Sequence, residues 1–129
     1  MGLKKLHHVG IVVEDLQHAI DRFVGFGFAF SEVKNIEEAG VTIAFFPVAD
    51  SLVELLHFGK RKQNDVSGSM QAGINHICFE VEDLEASIRD FEANGAKLME
   101  GFPRASGNSR MAFFLPETTE NVLIEILQE

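Results

Sequence analysis

Histidine and glutamate recur in this chain at matched places. His8 opens the stretch "HVGIVVEDLQHAI" and His76 opens "HICFEVEDLEASI", 68 residues later. Glu54 sits inside "LVELL" and Glu125 inside "LIEIL", 71 residues apart. A carboxylate within an apolar strand is costly to bury unless it is paired or bound to a metal. Two imidazoles and two carboxylates suit a divalent ion such as Zn²⁺, Co²⁺, Ni²⁺ or Mn²⁺, with positions left for water or substrate. An ion so held is a Lewis acid that stabilises an enolate as the proton beside a carbonyl leaves. A neighbouring carboxylate can take that proton.

The elements that must position these residues are themselves written twice. With His8 laid over His76, Val9 meets Ile77, Ile11 meets Phe79, Ile20 meets Ile88 and Phe23 meets Phe91. "IAFFPV" from Ile43 answers "MAFFLP" from Met111 at the same offset of 68 residues, and the "ETTEN" turn accounts for the three extra residues before the last strand. A repeat of this length decides the architecture. Leu6–Val13 reads as a strand, and Asp15 caps a helix with an apolar stripe of Leu16, Ala19, Ile20 and Phe23. "GFGFAF" (Gly25–Phe30) reads as a stop and a short strand, and Val41–Pro47 and Leu52–His57 as two more strands. The second copy runs Ile74–Val81, a helix capped by Asp83 and ended at Gly95, then Ala96–Met99, Met111–Leu115 and Val122–Leu127. The expected fold class is α+β, with two tandem βαβββ modules forming a curved mixed sheet around a metal-binding cleft. A single domain over 1–129 is expected, with one module at about 5–60, a polar linker at about 61–72 and the second module at about 73–129.

Side chains alternate along a strand. His8, Gly10 and Val12 therefore share one face, as do His76, Cys78 and Glu80, opposite the apolar set that should lie under the helices. Glu54 and Glu125 interrupt apolar sets in the same way. If the two sheets curve round one cleft, His8, Glu54, His76 and Glu125 converge there as metal ligands. His7 falls on the other face and has Asn75 in its repeat position, so it is expected to take no part. His18 and His57 are expected at the surface, and Cys78 as a small filler.

A net charge of −9 argues against nucleic acid as a partner, and 46% hydrophobic residues are enough for a core. The single cysteine excludes an internal disulfide. With no apolar run of spanning length, no membrane association and a cytoplasmic location are expected.

At these residues the chain resembles the vicinal oxygen chelate (glyoxalase/bleomycin resistance/dioxygenase) superfamily, and within it most resembles the methylmalonyl-CoA epimerases. The matching stretches are "HVGIVVEDLQHAI", "EAGVTIAFFPVADSLVELL", "GINHICFEVEDLEASI" and "VLIEIL". The resemblance implies His8, Glu54, His76 and Glu125 as metal ligands and a homodimer. It also implies a metal-dependent epimerase that abstracts a proton alpha to a carbonyl. Its acid/base groups would be Glu125 and, from "EEAGV", Glu38, with Glu37 as the neighbouring alternative. A CoA substrate would use cations for its phosphates, with Lys60, Arg61, Lys62, Arg104 and Arg110 as candidates. Three stretches depart from the epimerase pattern: the shortened "RFVGFGF", "ASGNSR" in place of an "AHGK" loop, and "LPE" in place of "LHP". They leave open a glyoxalase I-like lactoylglutathione lyase acting on a glutathione thiohemiacetal. They also leave open a non-catalytic small-molecule binder of the drug-resistance type. An extradiol dioxygenase of the same fold would need two His and one Glu on Fe(II).

Overall fold

A computed structural model of the protein describes residues 2–59 and 71–129. Lys60, Arg61, Lys62 and most of the expected linker lie outside the described residues. The chain divides into two compact units, His8–Asn75 and Met1–His7 with His76–Glu129. Strand β1 (Leu3–Val12) is therefore shared between them, its first half in one unit and its second half in the other.

In the unit His8–Asn75, β1 leads into helix α1 (Leu16–Phe26), then β2 (Glu32–Ile36), β3 (Val41–Val48) and β4 (Ser51–Phe58). The strand order is β2-β3-β4-β1, with β1 and β4 parallel and the other pairs antiparallel. Asp15 caps α1 as expected, its carboxylate accepting from the His18 N–H at 3.0 Å. The stripe Leu16, Ala19, Ile20 and Phe23 packs on Ala44, Phe46 and Leu55, all three fully buried. "GFGFAF" is not a strand. Gly27, at φ +109°, ends α1, and the Phe28 N–H reaches back to the Phe23 carbonyl at 3.0 Å. That is the two-bond helix stop in which a glycine takes a left-handed conformation open to few other residues. Phe28 and Phe30 then turn their rings onto Phe46. The alternating aromatics mark a cluster around one core ring, and the strand starts later, at Glu32.

The other unit carries β5 (Gly73–Val81, from His76 on), α2 (Leu84–Ala93), β6 (Arg104–Ser106), β7 (Ser109–Phe113) and β8 (Ile124–Gln128). Its order runs from the first half of β1 through β5-β8-β7-β6, with β5 and β8 parallel. Asp83 caps α2 by accepting from Ala86 N at 3.1 Å. Leu84 and Ile88 pack on Val81, Ala112, Phe114 and Ile126, and Phe91 stacks on Phe114 at 4.5 Å. Ala96–Met99 forms only a single bridge, Leu98 to Phe114, and the second strand of this module is Arg104–Ser106. In both modules the element after the helix thus comes later than the apolar pattern implies. The first apolar residues past each helix stop pack on the core before the chain extends. Each module is nonetheless βαβββ, and the fold class is α+β.

Arg110 on β7 is held by Glu85 on α2 in a two-pronged ion pair, one N–H···O of 3.1 Å between Nη1 and Oε1 and a second between Nη2 and Oε2. The guanidinium holds the Glu85 carboxyl below its ordinary 4.5. A depressed carboxyl contributes stability above its unfolded value and loses it as pH falls through the folded one. Glu85→Gln should therefore flatten the pH–stability curve just below pH 4.5 and lower stability slightly from there to neutrality. The effect should be small at an exposed pair, and urea melts across that range would reveal it. No helix among the described residues is long and apolar enough to cross a membrane.

Candidate metal and acid/base site

Register decides which side chains meet His8 and His76. In the unit His8–Asn75, β1 and β4 pair with Gly10 across from Glu54. Glu54 is then diagonal to His8 on one face, beside a residue with no side chain. His8 Nδ1 lies 3.5 Å from Glu54 Oε2. In the other unit β5 and β8 pair with Cys78 across from Glu125, and His76 Nε2 lies 3.3 Å from Glu125 Oε1. Gly10 and Cys78 are repeat-related, as are the two glutamates, so both modules build one histidine–glutamate pair at one register position. All four side chains are nearly closed off from solvent, His8 at 8% exposure, Glu54 at 10%, His76 at 7% and Glu125 at 5%. Two carboxylates kept out of water against imidazoles are the feature that a structural core does not require.

The row continues. Phe45 on β3 stands across from Glu54, and its repeat counterpart Phe113 on β7 stands across from Glu125. The Phe113 ring meets His76 edge-on at 5.6 Å, and Phe102 meets Phe113 edge-on at 5.3 Å. Sequence reasoning noted the repeated "AFF" but not that its central ring flanks the glutamate. The parity of β3 and β7 against β4 and β8 carried that signal. On the same face as His8, Val12, Leu56 and Val41 form a buried apolar cluster bordered by Ile36 and Ile43. Such a floor suits the apolar part of a small ligand.

Glu37 and Glu38 lie on a 3₁₀ turn, Glu37–Ala39, between β2 and β3, and both are exposed. The turn borders the Val41 end of this floor. Phe45, the neighbour of Glu54, is four residues further along β3, about 13 Å at strand rise. Glu38 therefore stands at the rim of the floor, and the structure does not bring it to the His8–Glu54 pair. Among the described residues it makes no hydrogen bond or ion pair.

Two expectations about the other histidines change. His7 was assigned to the helix side, yet one of its ring nitrogens lies within 4.8 Å of Cys78 Sγ, and its Nε2 lies 3.2 Å from Glu129 Oε2. Strict alternation holds only along one regular ladder, and β1 changes partner here, from β5 to β4. His7, Glu80 and Glu129 also come within 4.8 Å of one another, but Glu80 carries the Lys4 ammonium at 3.3 Å. His57 is half-buried, with Nδ1 3.4 Å from the Val13 carbonyl, while His18 is exposed as expected. Cys78 is completely buried, consistent with a filler.

Comparison with known proteins identifies the family and the fold. The family model described as Glyoxalase/Bleomycin resistance protein/Dioxygenase superfamily matches residues 7–114. The mitochondrial methylmalonyl-CoA epimerase of Dictyostelium discoideum is 32% identical over 98% of this chain and 79% of its own. The crystal structure of methylmalonyl-CoA epimerase from Mycobacterium tuberculosis superposes with a TM-score of 0.80 at 26% identity, over 98% of this chain and 88% of that one. A methylmalonyl-CoA epimerase solved in complex with methylmalonyl-CoA and NH₄⁺ gives 0.81 at 25%, over 99% and 96%. The chain belongs to the Glyoxalase/Bleomycin resistance protein/Dioxygenase superfamily, and within it is an enzyme similar to the methylmalonyl-CoA epimerases.

Proposed function

We propose that the protein epimerises methylmalonyl-CoA or a closely related 2-substituted malonyl thioester, with a divalent metal ion held by His8, Glu54, His76 and Glu125. The observation that carries this reading is the buried histidine–glutamate pair that each module builds at the same register position. Its donor set of two imidazole nitrogens and two carboxylates fits a divalent first-row ion. When bound, such an ion supplies Lewis-acid stabilisation to the enolate oxygen of a substrate that has lost its α-proton. The similarity to methylmalonyl-CoA epimerases supports the substrate class.

Inversion at one carbon needs a base on one face and an acid on the other. Glu125 takes the α-proton from one face in this reading. Glu38, at the rim of the apolar floor, returns a proton to the opposite face. In the reverse direction the roles exchange, so each carboxylate ends a turnover in the state in which its partner began. Glu54 is a ligand only. Phe45 and Phe113 stand beside the two glutamates and shield the pairs from water, which strengthens every charge interaction there. The functional unit in this reading is a homodimer, and its ligand set is complete at one ion per chain.

The test is proton exchange. Protein loaded with Co²⁺ or Zn²⁺ and incubated with methylmalonyl-CoA in D₂O should place deuterium at the α-carbon, followed by mass spectrometry. No exchange in protein shown to hold metal would sink the epimerase. Turnover of a glutathione thiohemiacetal by that same sample would put a glyoxalase-like lyase in its place, with Glu54 and Glu125 shuttling the proton.

A further inference from the structure

We infer that Arg104 is the anion-binding residue of this site and sets its specificity for an acyl-CoA carrying charged oxygens, an inference that rests on the epimerase reading above. Cross-strand register places it. Arg104 on the edge strand β6 pairs with Met111, Met111 with Leu127, and Leu127 with Glu80. That row neighbours the row Cys78, Glu125 and Phe113 and lies on the same face of the sheet. Contacts then tie Arg104 to the metal pair. Its guanidinium carbon is 4.2 Å above the Phe102 ring, Phe102 is 5.3 Å from Phe113, and Phe113 is 5.6 Å from His76.

The guanidinium is also cradled. Nε donates to the Gly101 carbonyl at 3.4 Å, and a Cβ on Gly101 would come within 3.0 Å of Nη2. Arg104 is exposed, and with one face on an aromatic ring and Nε used, its Nη groups remain to offer the fork that matches carboxylate and phosphate oxygens. Among the described residues no carboxylate forms an ion pair with Arg104. Arg110, the other arginine of this sheet considered for the role, is engaged by Glu85.

The first module supplies an internal comparison. Lys34 on β2 pairs with Ile43, Ile43 with Leu56, and Leu56 with Val12, the row corresponding to that of Arg104. Its ammonium lies 5.7 Å from the Phe45 ring, but Glu32 stands 3.9 Å away and offsets its charge. Lys34 and Arg104 thus each stand over an aromatic ring in corresponding rows, and among the described residues Lys34 has an ion-pair partner while Arg104 has none.

The ligand chemistry is an anionic oxygen group on the substrate, from either its free carboxylate or a phosphate of the coenzyme. Wild-type protein and Arg104→Gln, both metal-loaded, would be compared in KM and kcat for methylmalonyl-CoA. Binding of malonate and of free coenzyme A would be followed by calorimetry, with Lys34→Gln as the control. Loss of a charge-assisted contact predicts an increase in KM of about 10- to 100-fold with kcat nearly unchanged, and partial rescue in Arg104→Lys. Weakened malonate binding alone assigns the carboxylate, and weakened coenzyme A binding alone assigns a phosphate.

Equal KM and equal affinities in wild type and Arg104→Gln would overturn the assignment, as would a shift of the same size in Lys34→Gln. If wild type turns over no methylmalonyl-CoA yet binds malonate or coenzyme A through Arg104, the anion site stands and the epimerase reading falls. If wild type shows neither turnover nor binding, the anion site falls as well.

Discussion

His76→Ala is expected to remove metal binding and α-proton exchange together, with exchange falling by about a thousandfold or more. The His76 side chain is 7% exposed and sits 3.3 Å from the similarly buried Glu125 carboxylate, so its loss leaves a hole in a closed row. Lewis-acid stabilisation of a developing enolate is worth several kcal/mol, and each 1.36 kcal/mol is tenfold in rate. The substitution also takes a polar neighbour from the buried Glu125 carboxylate and an edge-on contact from Phe113, so a lower melting temperature should accompany it. Metal content by elemental analysis and deuterium uptake by mass spectrometry are the two readouts. A folded His76→Ala protein that retains one ion per chain would remove His76 from the ligand set. His7→Ala should keep both metal and exchange, because the imidazole of His7 is turned to Glu129.

Glu38→Gln is expected to separate epimerisation from exchange. With Glu38 unable to carry a proton, Glu125 can still remove the α-proton of one epimer and return deuterium to the same face. Deuterium should then enter one epimer at close to the wild-type rate with its configuration retained. Interconversion of the epimers should fall by about 10² to 10⁴, the usual contribution of a positioned acid or base. Glu38 and Glu37 share one exposed turn, so Glu37→Gln is the matched control, and it should leave interconversion intact. The opposite pattern in the two variants would transfer the role to Glu37. Loss in neither would remove the turn from the chemistry and leave the histidine–glutamate pairs untouched. The placement of Glu38 at the end of the apolar floor makes this a sharp comparison, because Gln has almost the same shape and hydrogen bonds as Glu without the titrating proton. Chiral analysis of the thioester after incubation in D₂O reads both quantities from one sample.

The second strands illustrate what a local pattern conveys. "GFGFAF" has aromatic residues at alternate positions, and alternation is how a half-buried strand is recognised. The same spacing also lets Phe28 and Phe30 both reach Phe46 once Gly27 has turned the chain. Which outcome holds depends on whether a ring waits on a neighbouring strand, and Phe46 is 18 residues further along the sequence than Phe28. Ala96–Met99 failed as a strand for a similar reason, since Leu98 was needed against the α2 core. The helices were legible because their information is local. Asp15 and Asp83 bond N–H groups three residues on, and the apolar stripes repeat every turn.

The duplication, the helix caps and the face of each strand that carries His8, Glu54, His76 or Glu125 were determined by the sequence alone. Periodicity and self-similarity are properties of a chain read in order. Only the tertiary structure decided what stands beside those residues: Phe45 across from Glu54, Phe113 across from Glu125, and Arg104 stacked above Phe102 on the same face. It also turned His7 toward Cys78, against its parity, where β1 passes from one partner strand to the other. Register between strands is set by packing and turn geometry over dozens of residues, and a shift of one residue would move every side chain to the opposite face.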